Sequence, residues 1–151
     1  MGDRLELRQA KATDAAAIRE LTRAAYAKWV PLIGREPKPM TADYDAAVTR
    51  HRFDLLYIDG MLAALIETIR EVDHLLVENV AVSPDFQGRG LGRKLMAHAE
   101  MLAREQGFDE VRLYTNQRFA ENIALYRRLG YRIDREEDVT VGIVTHMSKR
   151  L

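Results

Sequence analysis

The chain has 151 residues and no cysteine. That absence excludes disulfides, thiolate metal sites and a covalent acyl-cysteine intermediate. No apolar run approaches the ~20 residues of a membrane-spanning helix. Residues Met1–Arg4 lack the apolar core of a signal peptide, so the expected address is the cytoplasm. Excess charge of either sign is also missing, since Lys plus Arg and Asp plus Glu both number 23. A general role on nucleic acid or at a membrane surface therefore has no support. His51, His74, His98 and His146 are scattered without metal-ligand spacing, and no metal is expected. His98 is expected on the solvated face of its helix.

What remains is ordinary for a globular chain, with 47% hydrophobic and 30% charged residues. The length suits one domain over residues 1–151, burying about two-thirds of its unfolded surface. Proline is scarce, and three of the four prolines (Pro31, Pro37, Pro39) fall in one stretch. Residues 30–40 are accordingly read as an ordered loop rather than a regular element.

Alternation at Leu5–Arg8 predicts a strand, and Thr13 is placed as the N-cap of a helix ending near Trp29 before Val30-Pro31. Thr41 is placed as the cap of a second helix reaching Arg50. Phe53–Ile58 and Met61–Arg70 read as two strands joined by the Asp59-Gly60 hairpin turn. A strand over Leu75–Val82 feeds Ser83-Pro84-Asp85, a turn, and then a glycine-rich stretch. Leu91, Leu95, Ala99 and Leu102 form the buried stripe of the next helix, with Gly107 at its end. A strand from Glu110, a helix over Phe119–Leu129 stopped by Gly130, and strands at Tyr131–Glu136 and Val141–Met147 complete the order. This predicts an α/β domain with a mixed, mostly antiparallel sheet, a central parallel βαβ unit and helices on both faces.

Gln87-Gly88-Arg89-Gly90-Leu91-Gly92 lies between the strand and the long helix. Its glycines remove side chains that would keep a ligand from the backbone. The helix behind offers unpaired N–H groups and the positive end of its dipole, and Arg89 and Arg93 add charge. The combination suits a phosphate or pyrophosphate. A Walker loop does not match, and a dinucleotide fingerprint fails because its third glycine position is Arg93. Gln-x-x-Gly-x-Gly does match, at Gln87, Gly90 and Gly92.

This pattern resembles the coenzyme A loop of the GCN5-related N-acetyltransferase (GNAT) family. Asn122-Ile123-Ala124-Leu125-Tyr126, followed by Leu129-Gly130-Tyr131, is similar to the same family's Asn-x-x-x-Tyr helix and its exit. The resemblance implies an acetyl-CoA-dependent transferase acting on an amine by direct transfer in a ternary complex. It implies that the main chain of Val80, Ala81 and Val82 bonds the pantetheine arm. The loop from Gln87 through Gly88, Arg89, Gly90, Leu91 and Gly92 to Arg93 would hold the pyrophosphate. Asn122 or Asn116 would bond a pantetheine amide, and Tyr126 would protonate the leaving thiolate as general acid. The packing alternative for Tyr126 is a core aromatic beside Ile123 and Leu129.

Glu78 is the first candidate for the base that deprotonates the acceptor, with a raised pKa or acting through a water; Glu67 is the second. The structural alternative for Glu78 is an ion pair with Arg70 or Arg112. The acceptor is a small-molecule or peptide amine, expected beneath the loop from Trp29 to Met40, with Tyr26, Trp29 and Arg35 as its wall; the structural alternative is that Trp29, Leu32 and Ile33 cover the core below the first two helices. The main alternative is a non-catalytic acyl-CoA-binding or sensing module of the same fold. A dinucleotide-dependent oxidoreductase is weakened by Arg93 and by the antiparallel strands ahead of the loop. A homodimer is compatible with all of these.

Overall fold

The computed structural model describes residues 4–151; the expectation about the extreme N-terminus falls mainly on residues 1–3, outside the described range. Seven strands form one sheet in the order β1-β2-β3-β4-β5-β7-β6. They are β1 (Leu5–Gln9), β2 (Arg52–Ile58), β3 (Met61–Arg70), β4 (Leu75–Val82), β5 (Glu110–Asn116), β6 (Arg132–Val139) and β7 (Gly142–Arg150). The pairs β1–β2, β2–β3, β5–β7 and β6–β7 are antiparallel. The β4–β5 pair is parallel, as a strand–helix–strand connection requires. The helices are α1 (Ala15–Tyr26), α2 (Val30–Ile33), α3 (Lys38–Thr41), α4 (Tyr44–Arg50), α5 (Leu91–Glu105) and α6 (Ala120–Arg128). Among the described residues, no helix is long and apolar enough to cross a membrane.

The chain forms two compact units, Met1–Thr68 with Asn79–Leu95, and Ile69–Glu78 with Met96–Leu151. In the first, Ile18, Leu21 and Ala25 on α1 join Tyr44, Phe53, Leu55, Leu65 and Ala81 in a buried cluster. Tyr44 and Phe53 meet edge to face, with ring centroids 6.0 Å apart. The β2–β3 hairpin turns through Asp59 (φ 50°) and Gly60 (φ 81°), the two left-handed residues of a type I′ turn.

Three local expectations in this unit are corrected. Thr13 lies inside a 3-10 turn over Ala12–Asp14, and the side chain that accepts a backbone N–H there is Asp14, from Lys11 at 2.7 Å. Arg8 holds the same carboxylate at 2.9 and 3.0 Å and keeps its pKa below the usual range. The Asp14 carboxylate is thereby committed to a tertiary contact that Thr13 cannot make. The cap of α4 is Asp43, accepting from Ala46 N–H at 3.2 Å, while Thr41 closes α3. Residues 30–40 are not a loop throughout. Pro31 and Pro39 each sit in the first turn of a short helix, where a missing N–H costs nothing. Gly34, left-handed at φ 74°, ends the first of them.

In the second unit, Gly107 ends α5 at φ 84°, with Phe108 N–H returning to the Ala103 carbonyl at 2.8 Å. The β5–β7 ladder runs unbroken from Glu110↔Arg150 to Asn116↔Val144. Buried Glu100 on α5 accepts from Lys149 at 2.9 Å and from the Tyr131 hydroxyl at 3.1 Å. His98 is half-buried rather than on a solvated face.

A buried carboxylate stripped of its cation keeps its desolvation penalty. Lys149→Met should therefore lower the unfolding free energy by about 2 kcal/mol in urea denaturation, with Lys149→Met/Glu100→Leu recovering most of the loss. A single mutant as stable as the parent would show that the pair contributes nothing.

Candidate functional site

In the first unit, β4 ends and the chain passes to α5 through Ser83–Gly90. Ser83 N–H donates to the Ala63 carbonyl of β3 at 2.8 Å, and Pro84–Phe86 form a 3-10 turn. Phe86 is buried, and the Arg89 guanidinium lies 5.1 Å from its ring centroid. The Gln87 side chain donates back to the Val82 carbonyl at 3.2 Å. Gly88 and Gly90 are left-handed at φ 80° and 77°, and a Cβ built on either meets nothing within 4 Å. These two positions require glycine for backbone conformation, and they leave open space beside the chain. Gln87, Gly88, Arg89 and Gly90 are all exposed, as is Arg93 in the first turn of α5. Leu91 is buried and is the anchor of that helix, while Gly92 is half-buried inside it. Residues fit to receive an anionic group are thus gathered at one helix N-terminus.

Along β4, Leu75, Val77, Asn79 and Ala81 are buried, and Leu76, Glu78, Val80 and Val82 are half-buried. The parallel register with β5 spans Leu75–Val77 against Val111–Leu113, three pairs, although β4 runs on to Val82 and β5 to Asn116. Tyr26 of α1 donates to Asn79 Oδ1 at 2.8 Å and lies 3.3 Å from the Val80 carbonyl. This ties the expected wall residue Tyr26 to the strand. Trp29 and Met40 are buried and Arg35 is half-buried, its Nη1 donating to the Glu36 carbonyl at 3.2 Å. In that stretch Pro37 is also buried, while Leu32 is exposed.

In the second unit, Tyr126 is buried on α6, its ring 6.2 Å from that of Tyr131 and inclined at 65°. Burial pushes its hydroxyl up to about 12. Asn122, half-buried, lies one turn earlier. Asn116 uses its Oδ1 to accept from Arg118 N–H at 2.9 Å, shaping the turn into α6. Glu78 accepts from the Tyr114 hydroxyl at 2.5 Å. The arginines expected as its partners are occupied elsewhere: Arg112 with Glu110 at 2.9 Å, and Arg70 over the Phe108 ring. Glu67, the second base candidate, is buried in the first unit with His51 Nδ1 2.6 Å away. No group of three or more potential metal ligands occurs among the described residues.

The acetyltransferase (GNAT) family model matches residues 15–131. The chain belongs to this family. A ribosomal protein bS18-alanine N-acetyltransferase of Salmonella typhimurium is 38% identical over 76 residues, 50% of this chain and 51% of its own length. A streptothricin acetyltransferase of Streptomyces lavendulae is 40% identical over 57 residues, 38% of this chain and 30% of its own. The chain thus spans about half the length, or less, of these curated relatives. Among solved structures, the PaiA N-acetyltransferase of Thermoplasma acidophilum, in complex with coenzyme A, superposes with a TM-score of 0.82 at 18% identity. That match covers 98% of this chain and 99% of the other, and it establishes the acyl-CoA N-acyltransferase fold.

Tyr114, Asn79 and the His51–Glu67 pair escaped the sequence reading. Tyr114 alternates with Arg112 and Glu110 along its strand, the one local sign that its side chain shares their face.

The raised Tyr126 has a consequence for stability. Its folded value lies above the ordinary phenol value of about 10, so its contribution is whole below pH 10 and is lost as pH rises towards about 12. Urea denaturation at steps across that window should show a shallower decline for Tyr126→Phe than for the parent. Identical slopes would mean that the hydroxyl ionises freely in the folded protein.

Proposed function

We propose that this chain is an acetyl-CoA-dependent N-acetyltransferase that passes the acetyl group directly to an amine. The observation that carries the reading is the passage from β4 to α5, where two left-handed glycines lead into a helix N-terminus beside exposed Arg89 and Arg93. We take residues 1–151 as one acetyltransferase domain, because the matched region 15–131 runs through both compact units. Bound acetyl-CoA supplies the activated acyl thioester, and the chain's own groups do the rest.

The N–H groups at the start of α5, with Arg89 and Arg93, hold the pyrophosphate. The main chain of Val80, Ala81 and Val82 bonds the pantetheine arm, with Asn122 as a further polar contact. Asn116 is the weaker of the two asparagines, since its Oδ1 is already used. Glu78 takes the proton from the acceptor amine. Tyr126 serves the departing sulfur. With a thiol near 8.5, full transfer from a hydroxyl at about 12 is uphill by about 5 kcal/mol. Tyr126 therefore stabilises the sulfur by a hydrogen bond, and complete protonation follows from solvent. The sequence holds no cysteine, so no acyl-cysteine stage enters this reading, which is direct transfer.

The acceptor is an amine, small or at a peptide terminus. Names among the relatives, a ribosomal-protein alanine acetyltransferase and a streptothricin acetyltransferase, support that class. A peptide beginning with alanine is the first acceptor to test. The reading places the chain in a compartment that supplies acetyl-CoA, and the cytoplasm is the one we propose.

Two measurements test it. Calorimetry should show coenzyme A binding at least about tenfold weaker in Gly90→Asp than in the parent, roughly 1.4 kcal/mol. Unchanged binding by a folded variant removes the loop from the site. Coenzyme A release with amine acceptors should fall about 10²-fold in Tyr126→Phe while affinity for coenzyme A holds. Binding without any release would favour the non-catalytic acyl-CoA module.

A further inference from the structure

We infer that Tyr114 is the positioning residue for Glu78, held in turn by His146 and Glu137, so that β5, β7 and β6 together set the orientation of the base. The inference rests on the reading of Glu78 as that base. All four residues belong to the second compact unit.

The contacts form a continuous row. Tyr114 donates its hydroxyl to Glu78 Oε1 at 2.5 Å, a separation expected of an O–H donor on a carboxylate. Tyr114 and His146 are cross-strand partners of β5 and β7, and their ring centroids lie 6.1 Å apart at 39°. That contact limits rotation of the phenol about its own strand. His146 is fixed on its far side, with Nε2 2.9 Å from Glu137 Oε1 on β6. The Glu137 carboxyl is held below its usual range chiefly by this hydrogen bond, as expected for a maintained contact.

The chemistry follows from geometry. A carboxylate on a half-buried strand position has rotamers to lose before it can accept a proton from an amine. A short hydrogen bond from a fixed phenol selects one orientation of the carboxylate. Tyr114 itself need not exchange its proton. The support is cumulative, since each member is oriented by a side chain from the next strand outward. The β6–β7 hairpin, otherwise a peripheral element, thereby acquires a share in catalysis.

The decisive experiment does not need the acceptor. Protein labelled with carbon-13 at glutamate Cδ, with the Glu78 resonance assigned by Glu78→Gln, is compared at one neutral pH as parent, Tyr114→Phe and His146→Ala. Loss of the phenol donor should move the Glu78 Cδ resonance in Tyr114→Phe, and His146→Ala should move it by less. A Glu78 resonance at the same position in parent and Tyr114→Phe overturns the proposal. Turnover is then followed by coenzyme A release with spermidine and an alanine-initiated hexapeptide as probe amines. Tyr114→Phe should lower kcat about tenfold with KM for acetyl-CoA unchanged, and adding it to Glu78→Gln should cost nothing further. Additive losses show that Tyr114 acts apart from Glu78 and also overturn the proposal. If Glu78→Gln turns over like the parent, the base reading itself fails. If Glu78→Gln is slow while Tyr114→Phe matches the parent, only the positioning role falls.

Discussion

The Val82 carbonyl accepts a hydrogen bond from the Gln87 side chain, and this contact spans the passage from strand to helix on which the candidate site depends. Ser83 N–H fastens the start of that passage to β3, and buried Phe86 fastens its middle. Beyond those anchors, just ahead of α5, the backbone takes left-handed values at Gly88 and Gly90. Glycine adopts such values without steric cost, whereas most L side chains are strained there. The open donors at the head of α5 are therefore a property of a braced backbone rather than of a pliant loop. Preorganisation of this kind spares a ligand the entropy of ordering the loop.

How legible each feature was in the sequence followed from the range of the interaction that makes it. The Asp59-Gly60 hairpin, the buried stripe at Leu91, Leu95, Ala99 and Leu102, and the Gly107 stop depend on neighbours a few residues away. Periodicity and turn chemistry report on such neighbours directly. The prolines near residue 35 misled because proline opens a helix as readily as it breaks one. Thr41 and Asp43 are both competent caps, and only the path of the preceding helix chose between them. The side-chain pairings between distant segments were hidden. Tyr26 meets Asn79 across 53 residues of sequence, Tyr114 meets Glu78 across 36, and His51 meets Glu67 across 16. No local pattern encodes a partner at such distance.

Tyr126 shows why packing and chemistry are poor opposites. Its ring meets Tyr131, whose hydroxyl is bonded to buried Glu100, which Lys149 neutralises. The same burial that makes it a core residue holds its hydroxyl in the neutral form. A core position thus delivers a donor that stays protonated past pH 10, where an amine is already losing its proton. Its rigidity limits what it can give, because a weak acid in an apolar site offers a hydrogen bond more readily than a proton.

The edge strand β6 carries six charged residues in eight, from Arg132 through Asp138, and seven of its eight positions are exposed. It ends the strand order of the sheet, so its outer backbone groups are open to any extended chain that drifts past. A copy of the same strand added in parallel, in-register alignment would set Glu136, Glu137 and Asp138 against their own counterparts. Templated growth into fibrils is thereby discouraged at this margin by Coulomb repulsion alone. High ionic strength shortens the reach of that repulsion, so the margin is least protected in concentrated salt.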